Sequence, residues 1–255
     1  MARKGRARLR ALAERVSSDY PGIDATAAII GGQVRVNGRV ITNPRSIVRH
    51  DASIKIGGAA VELRGEAKLE TALRAFGIDV RGRVALDLGA STGGFTRVLR
   101  REGAERVYAV DVGFGQLLGS LRQDAGVVNL ERTNLGELTK ELVPDDIAIV
   151  TADLTYVSLA SALPQLNGRV SIASGGHLIA LVKPMYELRR AEAPRDADSL
   201  RAACQLASEG AVNAGWTVER IVRSPITGRA GAIEFLMHGR WNHGHGFEPA
   251  GMECP

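Results

Sequence analysis

The chain has 255 residues, a hydrophobic content of 45% and a formal net charge of +5 at pH 7. This length exceeds a typical single domain, so two domains are expected, the larger with its own buried core. No apolar run reaches the roughly 18 residues that a membrane-spanning helix needs, and no signal-peptide core follows the basic N-terminus. Cys204 and Cys254 have neither metal-ligand spacing nor a disulfide pattern. The composition predicts a soluble, cytoplasmic protein.

Positive charge is concentrated at the N-terminal end of the chain. Residues 1–65 contain 12 Lys and Arg against 5 Asp and Glu, whereas residues 66–255 contain 21 against 23. A small basic segment beside a nearly neutral large one favours a nucleic-acid-binding module attached to a unit with another task. A solvated, charged N-terminal arm has the same composition, so both interpretations stay open.

Residues 1–64 predict a small α+β module. Apolar residues recur at helical spacing over Leu9–Val16, and Asp24 predicts the start of a second helix that the G-G pair at 31–32 ends. The N-G pair at 37–38, between valine-rich runs, predicts a hairpin. Two helices on a small arginine-rich hairpin resemble the RNA-binding module first seen in a ribosomal small-subunit protein. The segment V-R-V-N-G-R-V carries most of this resemblance.

From Val84 onward, apolar runs typical of strands alternate with helical patterns. The predicted strands are Val84–Leu88, Arg106–Asp111, Gly126–Leu130, Ile147–Asp153, His177–Val182, Thr217–Arg223 and Ala232–His238, and the clearest helices are Gly94–Arg101 and Ser199–Ala214. This alternation predicts an α/β fold with a Rossmann-like, doubly wound, mostly parallel sheet over residues 65–240. Residues 241–255 lack periodicity and predict a disordered tail. A polar tail is favoured there over metal binding by His243 and His245.

The strongest local motif is V-A-L-D-L-G-A-S-T-G-G-F-T at residues 84–96. An apolar strand leads through a glycine-rich turn into a helix, so the backbone can pass close to a ligand and offer free N–H groups. The motif is not the G-x-G-x-x-G pattern of dinucleotide sites. It resembles the cofactor loop of S-adenosylmethionine methyltransferases. That resemblance implies that Asp87 lies near the methionine end and that Gly89, Ser91, Gly93 and Gly94 form the loop.

Two further polar residues follow the next predicted strands. Asp111 ends V-Y-A-V-D, 22 positions after Gly89, where nucleotide-binding sheets place an acid that accepts hydrogen bonds from ribose hydroxyls. The loop and the acid together favour this role over a strand-end turn residue. Asn134 is a candidate for adenine contact, and an ordinary loop residue is an equal alternative. The resemblance of the loop therefore implies S-adenosyl-L-methionine as the cofactor, and no metal is expected.

Four polar residues stand where core residues or strand ends are expected: Lys68, Asp153, Lys183 and Glu234. Open α/β sheets bind their ligands at the carboxyl ends of strands. The chain contains 28 Arg but only 5 Lys, so a lysine after an apolar strand suits a role that arginine cannot fill, such as accepting a proton. Each residue alone is better explained as a buried ion pair or a solvated strand end. As a set around one sheet, they favour catalysis.

Six segments carry a resemblance to a known family: R-G-E-A-K-L at 64–69, D-L-G-A-S-T-G-G-F-T at 87–96, V-Y-A-V-D-V-G-F-G-Q-L at 107–117, D-L-T-Y-V-S-L at 153–159, L-V-K-P-M-Y-E at 181–187 and S-P-I-T-G-R-A-G-A-I-E-F-L at 224–236. The chain resembles the TlyA family, haemolysin-A-like ribosomal RNA 2′-O-methyltransferases related to the RrmJ/FtsJ fold. The resemblance implies that the family's Lys-Asp-Lys-Glu tetrad maps onto Lys68, Asp153, Lys183 and Glu234.

The resemblance also implies in-line methyl transfer to a ribose 2′-hydroxyl, with cytidine as the expected nucleoside and ribosomal RNA or a ribosomal subunit as the partner. Lys183 is expected to take or steer away the hydroxyl proton, since burial and a neighbouring Lys68 weaken its hold on its own proton. Asp153 orients Lys183, and Glu234 positions the ribose. Much of the acceleration is expected from holding the oxygen near the methyl group.

Three positions, besides the N-terminal helices, depart from the family pattern. Met185 and Tyr186 replace the usual Gln-Phe, and Ala232 stands where Asn is common, which bears on substrate choice more than on chemistry. D-L-T-Y differs from the D/N-P-P-Y/F of amino-group methyltransferases, and neither cysteine lies at a strand end, as a cytosine C5 enzyme requires. Two other classes stay open: a catalytically weak RNA-binding protein, and a membrane-active haemolysin-like protein, although no clear amphipathic lytic helix is present.

Overall fold

The structure is a computed structural model that describes residues 9–57 and 64–242. Its helices are α1 (Leu12–Asp19), α2 (Ala25–Ile30), α3 (Arg64–Phe76), α4 (Gly94–Arg101), α5 (Gly119–Arg122), α6 (Leu159–Ala162), α7 (Pro184–Glu187) and α8 (Ala197–Asn213). Its strands are β1 (Leu9–Ala11), β2 (Val34–Val36), β3 (Arg39–Val40), β4 (Ile47–Arg49), β5 (Ile54–Ile56), β6 (Val84–Leu88), β7 (Arg106–Asp111), β8 (Val127–Glu131), β9 (Asp146–Ala152), β10 (Ser171–Val182), β11 (Trp216–Arg223) and β12 (Phe235–Trp241).

The N-terminal elements share a small core. Helices α1 and α2 pack with a three-stranded sheet, β3-β2-β5, and a two-stranded ribbon, β1-β4. The core contains Leu12, Val16, Ala25, Ala28, Ile29, Val34 and Val48. The predicted hairpin is confirmed. Asn37 and Gly38 have φ values of 50° and 81°, and the type I′ turn that N-G favours requires a positive φ at both positions. The first predicted helix was wrong at its start: Leu9 pairs with Arg49 in the ribbon, since strand pairing outweighs its helical spacing.

The large sheet has seven strands in the order β11-β12-β10-β9-β6-β7-β8. Strands β6 to β10 are parallel, whereas β12 runs antiparallel to β10 and β11. Helices α3 and α4 cover one face and α6 and α8 the other, so parallel strands buried on both faces carry continuous apolar runs. The prediction of a mostly parallel, doubly wound α/β sheet is confirmed. Strand β10 starts six residues earlier than predicted, because an irregular stretch containing Gly175 extends its pairing with β9.

A buried chain of hydrogen bonds joins β10 to β12. The Nδ1 atom of His177 lies 3.0 Å from Nε2 of His238, and Nη1 of Arg240 lies 3.2 Å from Nε2 of His177. Because a guanidinium only donates, His177 must accept at Nε2 and donate from Nδ1. Burial lowers the pKa of both histidines to about 4. Both histidines are therefore neutral near pH 7. Their hydrogen bond holds β12, which begins directly after Glu234, against β10.

The N-terminal elements contact the segment around α5, which follows β7 and lies beside the glycine loop. The hydroxyl of Thr42 donates to the carbonyl of Leu117 at 3.2 Å, and a Cβ at Gly119 would lie 2.8 Å from the side chain of Ile30. No helix within residues 9–57 and 64–242 is long and apolar enough to cross a membrane. At the other end of the chain, Trp241 is the last residue of β12, and the predicted tail from 243 onward, with its two histidines, lies outside the described residues.

Candidate active site

A pocket of about 760 Å³ lies at the carboxyl ends of the parallel strands. It spans the point where β6 is flanked by β7 on one side and β9 on the other, which is where open α/β sheets bind ligands. The structure brings eight predicted site residues to its wall: Lys68, Gly89, Ser91, Asp111, Asn134, Asp153, Lys183 and Glu234. The other three, Asp87, Gly93 and Gly94, lie behind this wall.

Asp87 supports the glycine loop from inside β6. Its carboxylate is 1% exposed and accepts hydrogen bonds from the hydroxyls of Thr96 at 2.6 Å and Thr151 at 2.8 Å. Burial raises the pKa of Asp87 to about 6, because desolvation outweighs these two hydrogen bonds. The carboxyl group therefore ties α4 and β9 to β6, beneath the pocket rather than on its surface.

Gly89 and Gly93 lie close to different parts of the protein. A Cβ at Gly89, where φ is 82°, would lie 2.6 Å from the carbonyl oxygen of Asp153, so the loop passes directly beside the end of β9. Gly93 is the left-handed N-cap of α4, and a Cβ there would overlap the side chains of Leu117 and Leu121. The left-handed φ of 94° therefore favours glycine at position 93, a backbone constraint that the sequence motif alone does not distinguish from ligand approach.

Asp111, the last residue of β7, holds the glycine loop on the pocket wall. Its two carboxylate oxygens accept the N–H groups of Ser91 at 2.8 Å and Gly113 at 2.7 Å. A carboxylate has about four acceptor positions, so about two remain for ribose hydroxyls. Asn134 begins a short 3₁₀ turn in which its N–H donates to Glu137 at 2.8 Å. Its side chain also borders the pocket, so the cap and the adenine contact remain alternatives.

Glu131 is an organising residue that the sequence analysis missed. It is the residue opposite Asp111 on the neighbouring strand, and its Oε1 accepts the N–H groups of Gln116 at 2.7 Å and Leu117 at 3.1 Å. Although burial raises it, the backbone N–H bonds keep the pKa of Glu131 below its usual range. Arg122 completes the cluster at 2.7 Å from Oε2. The sequence signal that could have identified Glu131 is an acidic residue at the end of the strand that follows Asp111.

The four tetrad residues meet as two ion pairs. Nζ of Lys183 lies 2.5 Å from Oδ1 of Asp153, and Nζ of Lys68 lies 2.6 Å from Oε2 of Glu234. Asp153 follows β9 and Lys183 follows its parallel neighbour β10, whereas Glu234 precedes the antiparallel β12, so all three reach the same edge. The side chains of Lys68 and Glu234 are 9% and 7% exposed. Those of Lys183 and Asp153 are 15% and 24% exposed, so this pair is the more accessible one.

Tyr156 and Tyr186 line the pocket, and Phe114 lies in the segment between its lining residues Val112 and Gln116. Tyr156 is 85% exposed with a left-handed φ of 69°, and its ring lies 5.8 Å from that of Tyr186. Phe114 is also exposed, and the guanidinium of Arg132 lies 3.9 Å from its ring centre. Aromatic and arginine planes of this kind stack on unpaired nucleic-acid bases. The sequence analysis named Tyr186 only as a departure and missed the other three.

The fold and the pocket together define an α/β enzyme with a nucleotide-type cofactor site beside a cluster of ionisable groups. The sequence model of the family described as FtsJ-like methyltransferase matches residues 62–241, and the chain belongs to this family. It is therefore an S-adenosylmethionine-dependent methyltransferase. The pocket fits this cofactor, because it joins Asp111, the predicted ribose acceptor, to the Lys183–Asp153 pair in one continuous space.

Individual relatives confirm the resemblance to TlyA. The chain is 39% identical over 236 residues to the 16S/23S rRNA (cytidine-2′-O)-methyltransferase TlyA of Mycobacterium tuberculosis, covering 89% of this chain and 87% of the relative. It is 33% identical to hemolysin A of Brachyspira hyodysenteriae, covering 82% of this chain and 90% of the relative. A solved structure from Streptococcus thermophilus, described as a hemolysin, has a TM-score of 0.68 and 30% identity, covering 96% and 91% of the two chains.

Proposed function

We propose that the protein methylates the 2′-hydroxyl of a cytidine ribose in ribosomal RNA, free or within a ribosomal subunit, in the cytoplasm. The observation that carries this proposal is the accessible ion pair of Lys183 and Asp153, 2.5 Å apart, in the same pocket as Asp111. The TlyA relative named for cytidine-2′-O methylation supports the choice of acceptor. The aromatic side chains of Tyr156 and Tyr186 in the pocket wall suit an unpaired base.

In the proposed mechanism, the chain positions the hydroxyl and takes its proton. When bound, S-adenosylmethionine supplies a methyl group activated by a sulfonium charge. Lys183 receives the hydroxyl proton as one of its own protons passes to Asp153, so the positive charge lost by the methyl donor reappears on this pair. Glu234 accepts a hydrogen bond from the ribose while Lys68 holds its carboxylate in place. Positioning contributes the larger part of the acceleration, and proton transfer about 10²- to 10⁴-fold.

The decisive experiment is methyl transfer with defined RNA substrates. Purified protein, methyl-labelled S-adenosylmethionine and either free ribosomal RNA or isolated subunits should give label at a cytidine. The phosphodiester bond that follows this cytidine should resist alkaline cleavage, because a 2′-O-methyl group removes the attacking hydroxyl. Label in an alkali-sensitive position would contradict ribose methylation. Cofactor binding without transfer to any ribosomal RNA would favour a binding protein, and leakage of lipid vesicles without transfer would favour the membrane-active class.

We assign RNA binding to the N-terminal residues 1–64. Arg35 and Lys55 are directly opposite each other on β2 and β5, and both are exposed. Like charges in such a cross-strand pair repel each other, so an anion bound between them relieves the repulsion. A phosphate of the RNA backbone has the required charge, and basic side chains that bind phosphates release counterions.

The double substitution Arg35→Glu with Lys55→Glu should weaken binding of ribosomal RNA about tenfold or more and lower the salt dependence of log Kd by about two units. Cofactor affinity should be unchanged. The matched control is Lys140→Glu with Arg169→Glu, which makes the same charge change at exposed positions of the large sheet unit. Titrations over a range of salt concentrations give both quantities. Equal losses of RNA affinity in the two double variants would show that net charge alone causes the effect, and would contradict the assignment.

A further inference from the structure

Glu187, the last residue of α7, has a buried carboxyl group that the proposed mechanism does not use. The residue is 7% exposed, and its Oε1 accepts the N–H of Leu159 at 2.9 Å. Its Oε2 is buried with no hydrogen-bond partner among the residues that the structure describes. Burial raises the pKa of Glu187 to about 7, although backbone N–H groups of Leu159 and Ala160 oppose this shift. A buried, half-satisfied carboxyl group costs stability, which calls for an explanation.

Helix capping is an incomplete explanation for this side chain. Helix α6 already has the N-cap Ser158, whose hydroxyl accepts the N–H of Ser161. Glu187 instead takes the N–H of Leu159, which belongs to a segment 28 positions away in sequence. The hydrogen bond therefore connects two separate strand-end segments of the large sheet in addition to satisfying a helix terminus.

The two connected segments are those that carry Asp153 and Lys183. They are joined once by the ion pair, at 2.5 Å, and a second time by the hydrogen bond from Leu159 to Glu187, at 2.9 Å. Most residues between these two connections, including Tyr156 and Tyr186, line the pocket. Two fixed points hold the segments against sliding past each other, which a single ion pair between a flexible lysine and an aspartate does not do.

We propose that Glu187 is a positioning residue, which holds the segment of Asp153 in register with the segment of Lys183 through its hydrogen bond to the N–H of Leu159. The inference rests on the proposed function, because it assumes that the Lys183–Asp153 pair takes part in methyl transfer. One acceptor oxygen at the correct reach is sufficient for this role, so the negative charge of the side chain is dispensable. A displacement of about 1 Å in catalytic groups lowers turnover about 10²-fold.

Three substitutions distinguish the effect of the length of the Glu187 side chain from the effect of its charge. Glu187→Gln keeps an acceptor oxygen at the same reach, Glu187→Asp keeps the charge but withdraws it by one methylene group, and Glu187→Ala removes both. We expect the Ala and Asp variants to lose about 10- to 10²-fold in kcat for ribosomal RNA methylation, with KM for cofactor and RNA nearly unchanged. The Gln variant should retain most of the turnover. The matched control is Asp124→Ala, which removes a partly buried carboxylate that accepts the N–H of Gly126.

Amide hydrogen exchange of segment 154–160 tests the connection independently of activity. Exchange at Leu159 should rise roughly tenfold or more in the Ala and Asp variants, and stay near that of the native protein in the Gln and Asp124→Ala variants. Unchanged exchange or unchanged kcat in Glu187→Ala would overturn the proposal. So would equal loss of kcat in the Gln and Ala variants. A native protein that transfers no methyl group, with the exchange pattern as expected, would overturn the proposed function while leaving the connection between the segments intact.

Discussion

Replacing Lys183 by Arg should reduce methyl transfer to ribosomal RNA about 10²- to 10⁴-fold, the usual contribution of a general base. Arginine keeps the positive charge and can still pair with Asp153, 2.5 Å from the native lysine nitrogen. It does not release a proton near neutral pH, because its guanidinium is always charged in proteins. The proton of the ribose hydroxyl then has no acceptor at this position. Single-turnover rates with bound cofactor and RNA measure the effect directly.

Binding measurements distinguish this loss from a structural one. Lys183→Arg should bind S-adenosylmethionine and RNA nearly as the native protein does, since the pair with Asp153 is kept. Lys183→Ala should also lower the free energy of unfolding, because it leaves that carboxylate in a partly buried site without its cation. Lys140→Arg, at an exposed position, controls for the effect of replacing a lysine by an arginine. Near-native turnover in Lys183→Arg would contradict the base assignment and leave electrostatic positioning as the role of the lysine.

The sequence predicted the large sheet well because each strand carries its own signal. Strands β6 and β7 are largely apolar runs, of which the first leads into the glycine loop and the second ends at Asp111, and the predicted helix Gly94–Arg101 has the observed bounds. The placement of Asp153 and Lys183 at one edge followed from parallel strand polarity. Local patterns were sufficient for these elements because burial on both faces fixes their composition.

The features that the sequence did not predict depend on register between distant elements. Nothing near Lys68 indicates that it pairs with Glu234, since the two are 166 positions apart. The hydrogen bond from His177 to His238 likewise requires β10 and β12 to lie side by side. The same holds for the close contact of Gly93 with leucine side chains from the segment around α5. Tertiary neighbours, rather than local spacing, decide these cases.

Replacing Asp111 by Ala should weaken binding of S-adenosylmethionine about 10²-fold. Hydrogen bonds to a charged acceptor contribute about 1.5 to 3 kcal/mol each, and the loss of one or two corresponds to such a factor. The carboxylate also holds the N–H groups of Ser91 and Gly113, so part of the loss could come from a loosened loop. Calorimetric titration of the variant measures the sum of both contributions.

A modified ligand separates the two contributions. S-adenosylhomocysteine and an analogue that lacks both ribose hydroxyls should differ strongly in affinity for the native protein, because only the first can donate to Asp111. In Asp111→Ala this difference should nearly vanish, since the acceptor is gone for both ligands. Asp145→Asn, whose native carboxylate pairs with Arg106 away from the pocket, should preserve it. If Asp111→Ala weakens both ligands by the same factor, the carboxylate acts only on the loop, and its assignment as the ribose acceptor is wrong.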